Sequence, residues 1–359
     1  MFTMTTRFTP GGRPAWIGSL PINDHGEAIR LVDKYSPEIP IWIQLPAFAA
    51  EGMLAQFAGS LPGLAREGGR MFIDAGADHF DQQVLEFFEA SMGVAEGTVS
   101  LADSRFALDR ATAPGFFQLL AYLDRRTAPP AAVKGQVTGP FTFATGINDA
   151  DGRAIFYHDT LREAAVTCIA LNARWQTERL KKYGVPVILF LDEPGLAGFG
   201  SSAFISVTSV DVAACLEPVI QEIHAAGGLA GVHVCANTDW SLMFEASLDI
   251  ISFDAYSFFD KFLLYPDRIR EFFRRGGILA WGIVPTADPE QVRRETPDTL
   301  TVLLESQIAQ VAALGIDPAV VAAQSLITPS CGVGSLPLAD AVRVIDMTRE
   351  ISDRFRQKL

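Results

Sequence analysis

The sequence predicts an α/β fold, a single (β/α)8 TIM barrel with a long insertion after the second strand, and three observations lead there. Short β-rich apolar runs alternate with amphipathic stretches, the pattern of a parallel sheet wrapped by helices. Eight such runs occur, the number that closes a barrel. Polar residues end most of these runs, at the edge where a barrel of this kind builds its site.

In chain order the runs are Ala15–Leu20, Ile39–Leu45, Ala132–Thr138, Pro186–Asp192, Leu229–Cys235, Asp249–Asp254, Gly277–Val284 and Gln324–Thr328. Helical patterns such as Leu161–Tyr183 and Val210–Ala226 lie between them and end near Gly, as a helix C-terminus should. The alternation breaks once. About 85 residues separate the second run from the third, too many for an ordinary connection, so residues 47–130 are expected to be a folded insertion covering the barrel mouth. Within it, Leu85–Met92 and Phe116–Leu123 read as helices, and Met71–Asp74 with Thr98–Leu101 as an extended pair. The 359 residues are then one catalytic domain, 1–359.

Composition narrows the function classes. The 29 Lys and Arg against 42 Asp and Glu leave a net charge of −13, a field that repels nucleic acid and anionic membrane. No apolar run reaches the roughly 18 residues of a membrane helix. Met1–Pro14 lacks the basic and apolar regions of a secretory signal, which predicts a cytoplasmic protein. Four cysteines are too few for a disulfide framework, so metal ligation or nucleophilic chemistry is the better reading for some of them.

The polar residues at run ends are Ser19, Gln44, Thr138, Asp192 with Glu193, His233 with Cys235 and Asn237, Asp254, Thr286 and Cys331. His233 and Cys235 stand two apart on one strand and so point to the same side, offering a nitrogen and a sulfur to one ion. The next run ends in Asp254 and the last runs into Cys331, which brings His, Cys, Asp and Cys to one mouth. One nitrogen, two sulfurs and one oxygen suit Zn²⁺. So electron-rich a site is poor at making hydroxide but keeps a further bound thiolate nucleophilic, which favours alkyl transfer to sulfur over hydrolysis. A structural zinc and simple core cysteines are the alternatives; structural sites favour short-spaced ligands, whereas these span 99 positions. Cys168 and Cys215 fall among apolar helical residues and read as core. His25, His79, His158 and His224 show no ligand pattern.

With these residues in place, the chain resembles the C-terminal catalytic barrel of the cobalamin-independent methionine synthase family, of the short "core" type, in the superfamily that includes uroporphyrinogen decarboxylase and the corrinoid:thiol methyltransferases. The anchors are Ile17-Gly18-Ser19, Thr138-Gly139-Pro140, Asp192-Glu193-Pro194, His233-Val234-Cys235 and Cys331-Gly332, in order and at strand ends. The resemblance implies His233, Cys235 and Cys331 as zinc ligands, with the family's carboxylate ligand, usually Glu, falling on Asp254. It also implies that Ile17, Gly18, Ser19 and Asp192 hold the amino acid part of homocysteine, while Gln44 stands near a family Glu that contacts its ammonium. The family's folate contacts fall on Gly146 and Gly198, and its acid near Thr286 or Ala287, none of which can serve.

A methylcorrinoid donor fits those losses, because its cob(I)alamin leaving group needs no proton. His233-Val234-Cys235-Ala236-Asn237-Thr238 is also similar to a segment of corrinoid:coenzyme M methyltransferases. The expected function is zinc-dependent methyl transfer from a methylcorrinoid, presented by a corrinoid protein, to homocysteine, giving methionine. Transfer to another small thiol such as coenzyme M, and a corrinoid- or zinc-binding accessory protein without turnover, are the rival readings. Porphyrinogen decarboxylation lacks the paired arginines it needs. Glu193 is left between orienting its neighbours and a purely structural role.

Overall fold

The computed structural model describes residues 8–359; residues 1–7 of the expected domain lie outside that range. The protein is an α/β structure built on a six-stranded parallel sheet. Two short strands of the long insertion come first in the chain, β1 (Leu64–Glu67) and β2 (Arg70–Ile73). The parallel sheet follows as β3 (Val133–Thr138), β4 (Val187–Asp192), β5 (Leu229–Val234), β6 (Ile250–Phe253), β7 (Ile278–Val284) and β8 (Ser325–Pro329). Its spatial order is the sequence order, each strand pairing with the next. The six match the third to eighth apolar runs to within a residue or two, because runs buried on both faces carry few polar interruptions.

The first two runs behave differently. Residues 13–20 and 39–45 form only isolated parallel bridges: Pro14 with Ile327, Ser19 with Gln44, and Ile41 with Lys134. The backbone still links them: Ala15 N donates to Ile327 O (2.9 Å), Gln44 N to Gly18 O (2.7 Å) and Lys134 N to Pro40 O (2.9 Å). Pro14 and Pro40 have no N–H to give a ladder, which limits regular pairing there.

Side chains alternate across the sheet. Ile188 and Phe190 of β4, with Ile250, Ile278, Ala280 and Leu326, form one buried apolar cluster. Val187, Leu189 and Leu191 belong to the larger core with the helices. Those helices include Asp159–Lys181, Ser209–Ala225 and Leu338–Arg356. Among the described residues no helix is long and apolar enough to cross a membrane.

In the insertion the two expected helices lie within Phe80–Ala95 and Pro114–Leu123. The expected extended pair is corrected. Arg70–Ile73 pairs antiparallel with Leu64–Glu67, and Leu101 instead begins a 3₁₀ turn, Leu101–Asp103. The reason is local: Gly68 and Gly69, at φ of 55° and 81°, make a two-residue hairpin turn that needs positive φ at both positions.

Candidate metal centre

The strand pairing brings three of the four predicted ligands together. Asp192, His233 and Ser252 lie side by side in register across β4, β5 and β6. Cys235 follows β5 by one residue, and Cys331 follows β8 by two. His233, Cys235 and Cys331 each offer a ligand atom, and all three atoms lie within 4.8 Å of one another. His233 is buried, and its Nδ1 meets Ser252 Oγ at 3.0 Å. Its Nε2 is equally buried and makes no hydrogen bond. A buried nitrogen left bare costs about 1–3 kcal/mol unless something accepts its lone pair, and a metal ion does that. The facing Cys331 thiol, with His233, pulls Cys235 well below the usual thiol range, while Cys331 is pushed up by the Cys235 sulfur and by burial. One nitrogen and two sulfurs at this spacing fit Zn²⁺.

Asp254, the expected fourth ligand, does not join this group. It is buried at the end of β6 and caps the helix Ala255–Phe262, its Oδ1 accepting from Ser257 N at 2.8 Å. Burial raises its carboxyl, against the Ser257 hydrogen bonds.

The triad opens on a cavity of about 450 Å³ whose wall includes all five residues expected to hold substrate, Ile17, Gly18, Ser19, Gln44 and Asp192. Ser19 Oγ accepts from Gly334 N (3.2 Å), and a Cβ on Gly332 would lie 2.4 Å from that oxygen, which explains the glycine after Cys331. Gln44 is tied to the insertion: its Nε2 donates to Gln56 Oε1 (2.6 Å), and Gln56 Nε2 donates to Thr112 O (2.5 Å). Asp192 Oδ1 is buried without a partner, and burial raises the carboxyl against the pull of Lys134 and His233. Lys134 lies beneath, 1% exposed, its Nζ 4.1 Å from the Phe190 ring centre and without a hydrogen bond. Burial pushes Lys134 down to about 8, with Asp192 opposing.

Glu193 is resolved as an anchor. Completely buried, it accepts from Phe141 N (3.0 Å), Thr142 N (2.8 Å) and Thr142 Oγ1 (2.6 Å), holding the start of the helix Pro140–Gly146. A Cβ on Gly139 would come within 2.1 Å of its carboxyl carbon, so Thr138-Gly139-Pro140 and Asp192-Glu193-Pro194 are one interlocked unit. Thr286 is spent on a hydroxyl pair with Ser330 at 3.0 Å. Cys168 and Cys215 are core thiols, pushed up by burial to about 11 and about 12.

Sequence reasoning missed two residues of this wall and its surroundings. Glu51, from a 3₁₀ turn of the insertion, lines the cavity, and His25 meets Glu51 Oε1 at 2.8 Å. Neither carries a periodic or spaced signal, since both lie in irregular stretches or at a helix start.

No protein-family model matches the chain, and no curated protein matches it. Among solved structures it is similar to tryptophan synthase from M. tuberculosis in an aminoacrylate-bound form, at 17% identity and a TM-score of 0.23, over 62% of this chain and 81% of that one. A score so low carries no argument about fold or activity.

Proposed function

We propose that this protein is a zinc-dependent methyltransferase of the cobalamin-independent methionine synthase type, moving a methyl group from a methylcorrinoid to the thiol of homocysteine. The observation that carries the reading is the bare, buried His233 Nε2 beside Cys235 and Cys331 at the wall of a substrate-sized cavity. The bridged segments 13–20 and 39–45 complete, with β3–β8, a closed eight-membered barrel whose C-terminal mouth is this cavity, and the start of the 47–130 insertion covers part of it.

Three protein ligands leave a zinc ion a fourth position, the arrangement of catalytic sites. Bound there, zinc would lower the thiol pKa of a substrate whose sulfur takes that position and hold it as a nucleophilic thiolate. The chain's own groups do the rest. The backbone at Ile17 and Gly18 and the Ser19 hydroxyl would take the amino acid carboxylate, and the Asp192 carboxyl at the same wall would take its ammonium. With a methylcorrinoid as donor, the C–S bond would form as the donor's cobalt–carbon bond broke with its electron pair left on cobalt, so no side chain need deliver a proton. Thr286, already paired with Ser330, suits that requirement.

The folate positions support a corrinoid donor. A Cβ on Gly146 would lie 3.0 Å from Leu54 Cδ1, and one on Gly198 would lie 2.7 Å from Phe204 Cε2, so apolar side chains already fill the space where pterin contacts would stand. A separate corrinoid protein is the proposed donor, and a reducing cytoplasm suits four free cysteines. The test is methionine formation by the zinc-loaded protein from homocysteine with methylcobalamin, beside methyltetrahydrofolate. Turnover with methylcobalamin alone is expected; turnover with folate alone, or with neither donor at full zinc content, would overturn the reading.

A further inference from the structure

We infer that the corrin ring of the methyl donor lies on one uncharged half of the cavity mouth, with Ile205 and Met53 as its apolar contacts, an inference that rests on the proposed methyl transfer from a corrinoid. Neither residue belongs to a motif that suggested the function.

Size puts the donor outside. The cavity of about 450 Å³ stands at the lower end of the roughly 300–1,000 Å³ that take small ligands, so it admits an amino acid thiol and leaves a corrin macrocycle over its opening. The donor's methyl then reaches a sulfur within only if the ring rests on the rim.

Charge picks the side of the rim. Residues 46–65, 139–148, 194–210 and 329–339 carry one Asp, Glu, Lys or Arg among them, Glu51, and it is buried. These segments adjoin. A Cβ on Gly334 would lie 2.8 Å from Pro46 Cγ, one on Gly146 would lie 3.0 Å from Leu54 Cδ1, and the ring centres of Phe141 and Phe204 stand 5.3 Å apart. Pro46, Met53, Pro194 and Ser335 bring three of the four segments to the cavity wall. The segments that follow β5, β6 and β7 differ, for Asp239, Asp260, Lys261, Glu290, Arg293 and Arg294 are exposed there.

Exposure marks the contacts. Ile205 is 89% exposed, more than any other large apolar side chain among the described residues, and Phe48 and Met53 stand 42% and 39% exposed on the same half. Apolar side chains left in water beside a site mark what a partner covers. A corrin ring is a broad, flat macrocycle edged with methyl groups and neutral amides, and a rim that is apolar and uncharged suits it. The anionic glutamate tail of a folate would meet no Lys or Arg on this half.

Equilibrium dialysis of the zinc-loaded protein without thiol, followed by corrin absorbance, measures the contact without methyl transfer. Methylcobalamin would be compared with methylcobinamide, which lacks the nucleotide tail and keeps the ring. The unaltered protein is expected to bind the two within about threefold of each other, since the ring makes the contacts. Ile205→Asp puts a charge where the ring would lie and is expected to weaken both by about tenfold or more, with zinc content unchanged. Met53→Ala is expected to lose about three- to tenfold. Glu290→Gln, on the charged half, is expected to stay within about twofold. An Ile205→Asp variant of unaltered affinity, an equal loss in Glu290→Gln, or binding that requires the nucleotide tail would overturn the inference, and methionine formation from methylcobalamin by the unaltered protein would leave the proposed function standing. Where affinity is too weak for dialysis, KM for methylcobalamin carries the same comparison. If the unaltered protein neither binds methylcobalamin nor uses it, the proposed donor falls and this inference with it. A thermal melt checks that Ile205→Asp folds. If it does not, Ile205→Ser takes its place with an expected loss of about threefold or more, an unchanged affinity counting against the inference.

Discussion

At the start of the parallel strands, Ile188, Ile250, Ile278 and Leu326 pack into an apolar floor. At the far ends of the same sheet stand Asp192 and His233, each with a buried atom that finds no partner, and then the paired sulfurs of Cys235 and Cys331. A fold driven by burial alone would make both ends like the first, since each unpartnered polar atom costs about 1–3 kcal/mol. Other buried polar atoms also lack partners, but Asp192 and His233 are the ones at the wall of the cavity, where a bound ligand would complete them. Lys134 links the two regions: its backbone is in register with Ile188 of the floor, and its ammonium reaches over Phe190 and is felt by Asp192.

The sharpest way to break this contrast is to remove a sulfur. Cys235→Ser takes away one of three ligand atoms and replaces a soft donor by a hard, weakly acidic one. Zinc content, measured by elemental analysis after dialysis, is expected to fall from about one ion per chain to about a tenth or less. The thermal midpoint of the metal-free chain should barely move, because the floor is untouched. Full zinc retention by this variant would show that the triad is not the binding site.

Lys134 tests the boundary. Its folded-state pKa of about 8 lies below the ordinary 10.5, so the fold disfavours the charged form. Below pH 8 the lysine is protonated in both states and the whole penalty is present. Between about 8 and 10.5 the folded chain has released the proton that the unfolded chain still holds, so stability from this group rises with pH across that window. Lys134→Met is therefore expected to stabilise the protein by about 1–3 kcal/mol at pH 7, less than the full shift implies because Asp192 loses its cation. The advantage should shrink to nothing by about pH 10.5. Denaturant midpoints at pH 7 and pH 10 measure it, and a destabilised Met variant at pH 7 would mean that Lys134 holds Asp192 more strongly than burial penalises the lysine.

The sequence was legible where both faces of a strand are buried. From Ala132 onward the six runs became β3–β8 because most of their positions are buried and apolar, although Lys134 and Gln136 of β3 and Ser252 of β6 are buried polar residues within the strands. The grouping of His233, Cys235 and Cys331 was legible as well, since His233 and Cys235 stand two apart at the end of one strand and Cys331 lies just past the end of another. Asp254 was read as a ligand from its place at a strand end, where a capping carboxylate and a ligand look alike; Ser257, three residues on, was the sign of the cap. Glu51 and His25 were not legible, since their meeting across 26 positions depends on how an irregular segment packs. The hairpin of β1 and β2 could have been found, Gly68-Gly69 being a turn signal in its own right.

Ser252 gives the smallest and most discriminating test of the two-ended arrangement. It is fully buried on β6, in register with His233, and its hydroxyl meets His233 Nδ1 at 3.0 Å. With Nδ1 donating to that oxygen, Nε2 carries the lone pair and faces the two sulfurs; without it, either tautomer is open and the ring is free to turn. Ser252→Ala removes one hydroxyl from an otherwise apolar contact and makes no large cavity, so stability should change by about 1 kcal/mol or less. Zinc affinity, from competition with a chromophoric chelator, is expected to fall about ten- to a hundredfold. Equal loss of stability and affinity would make Ser252 a packing residue of the floor. Affinity lost with stability kept would place it at the other end, as the group that aims His233.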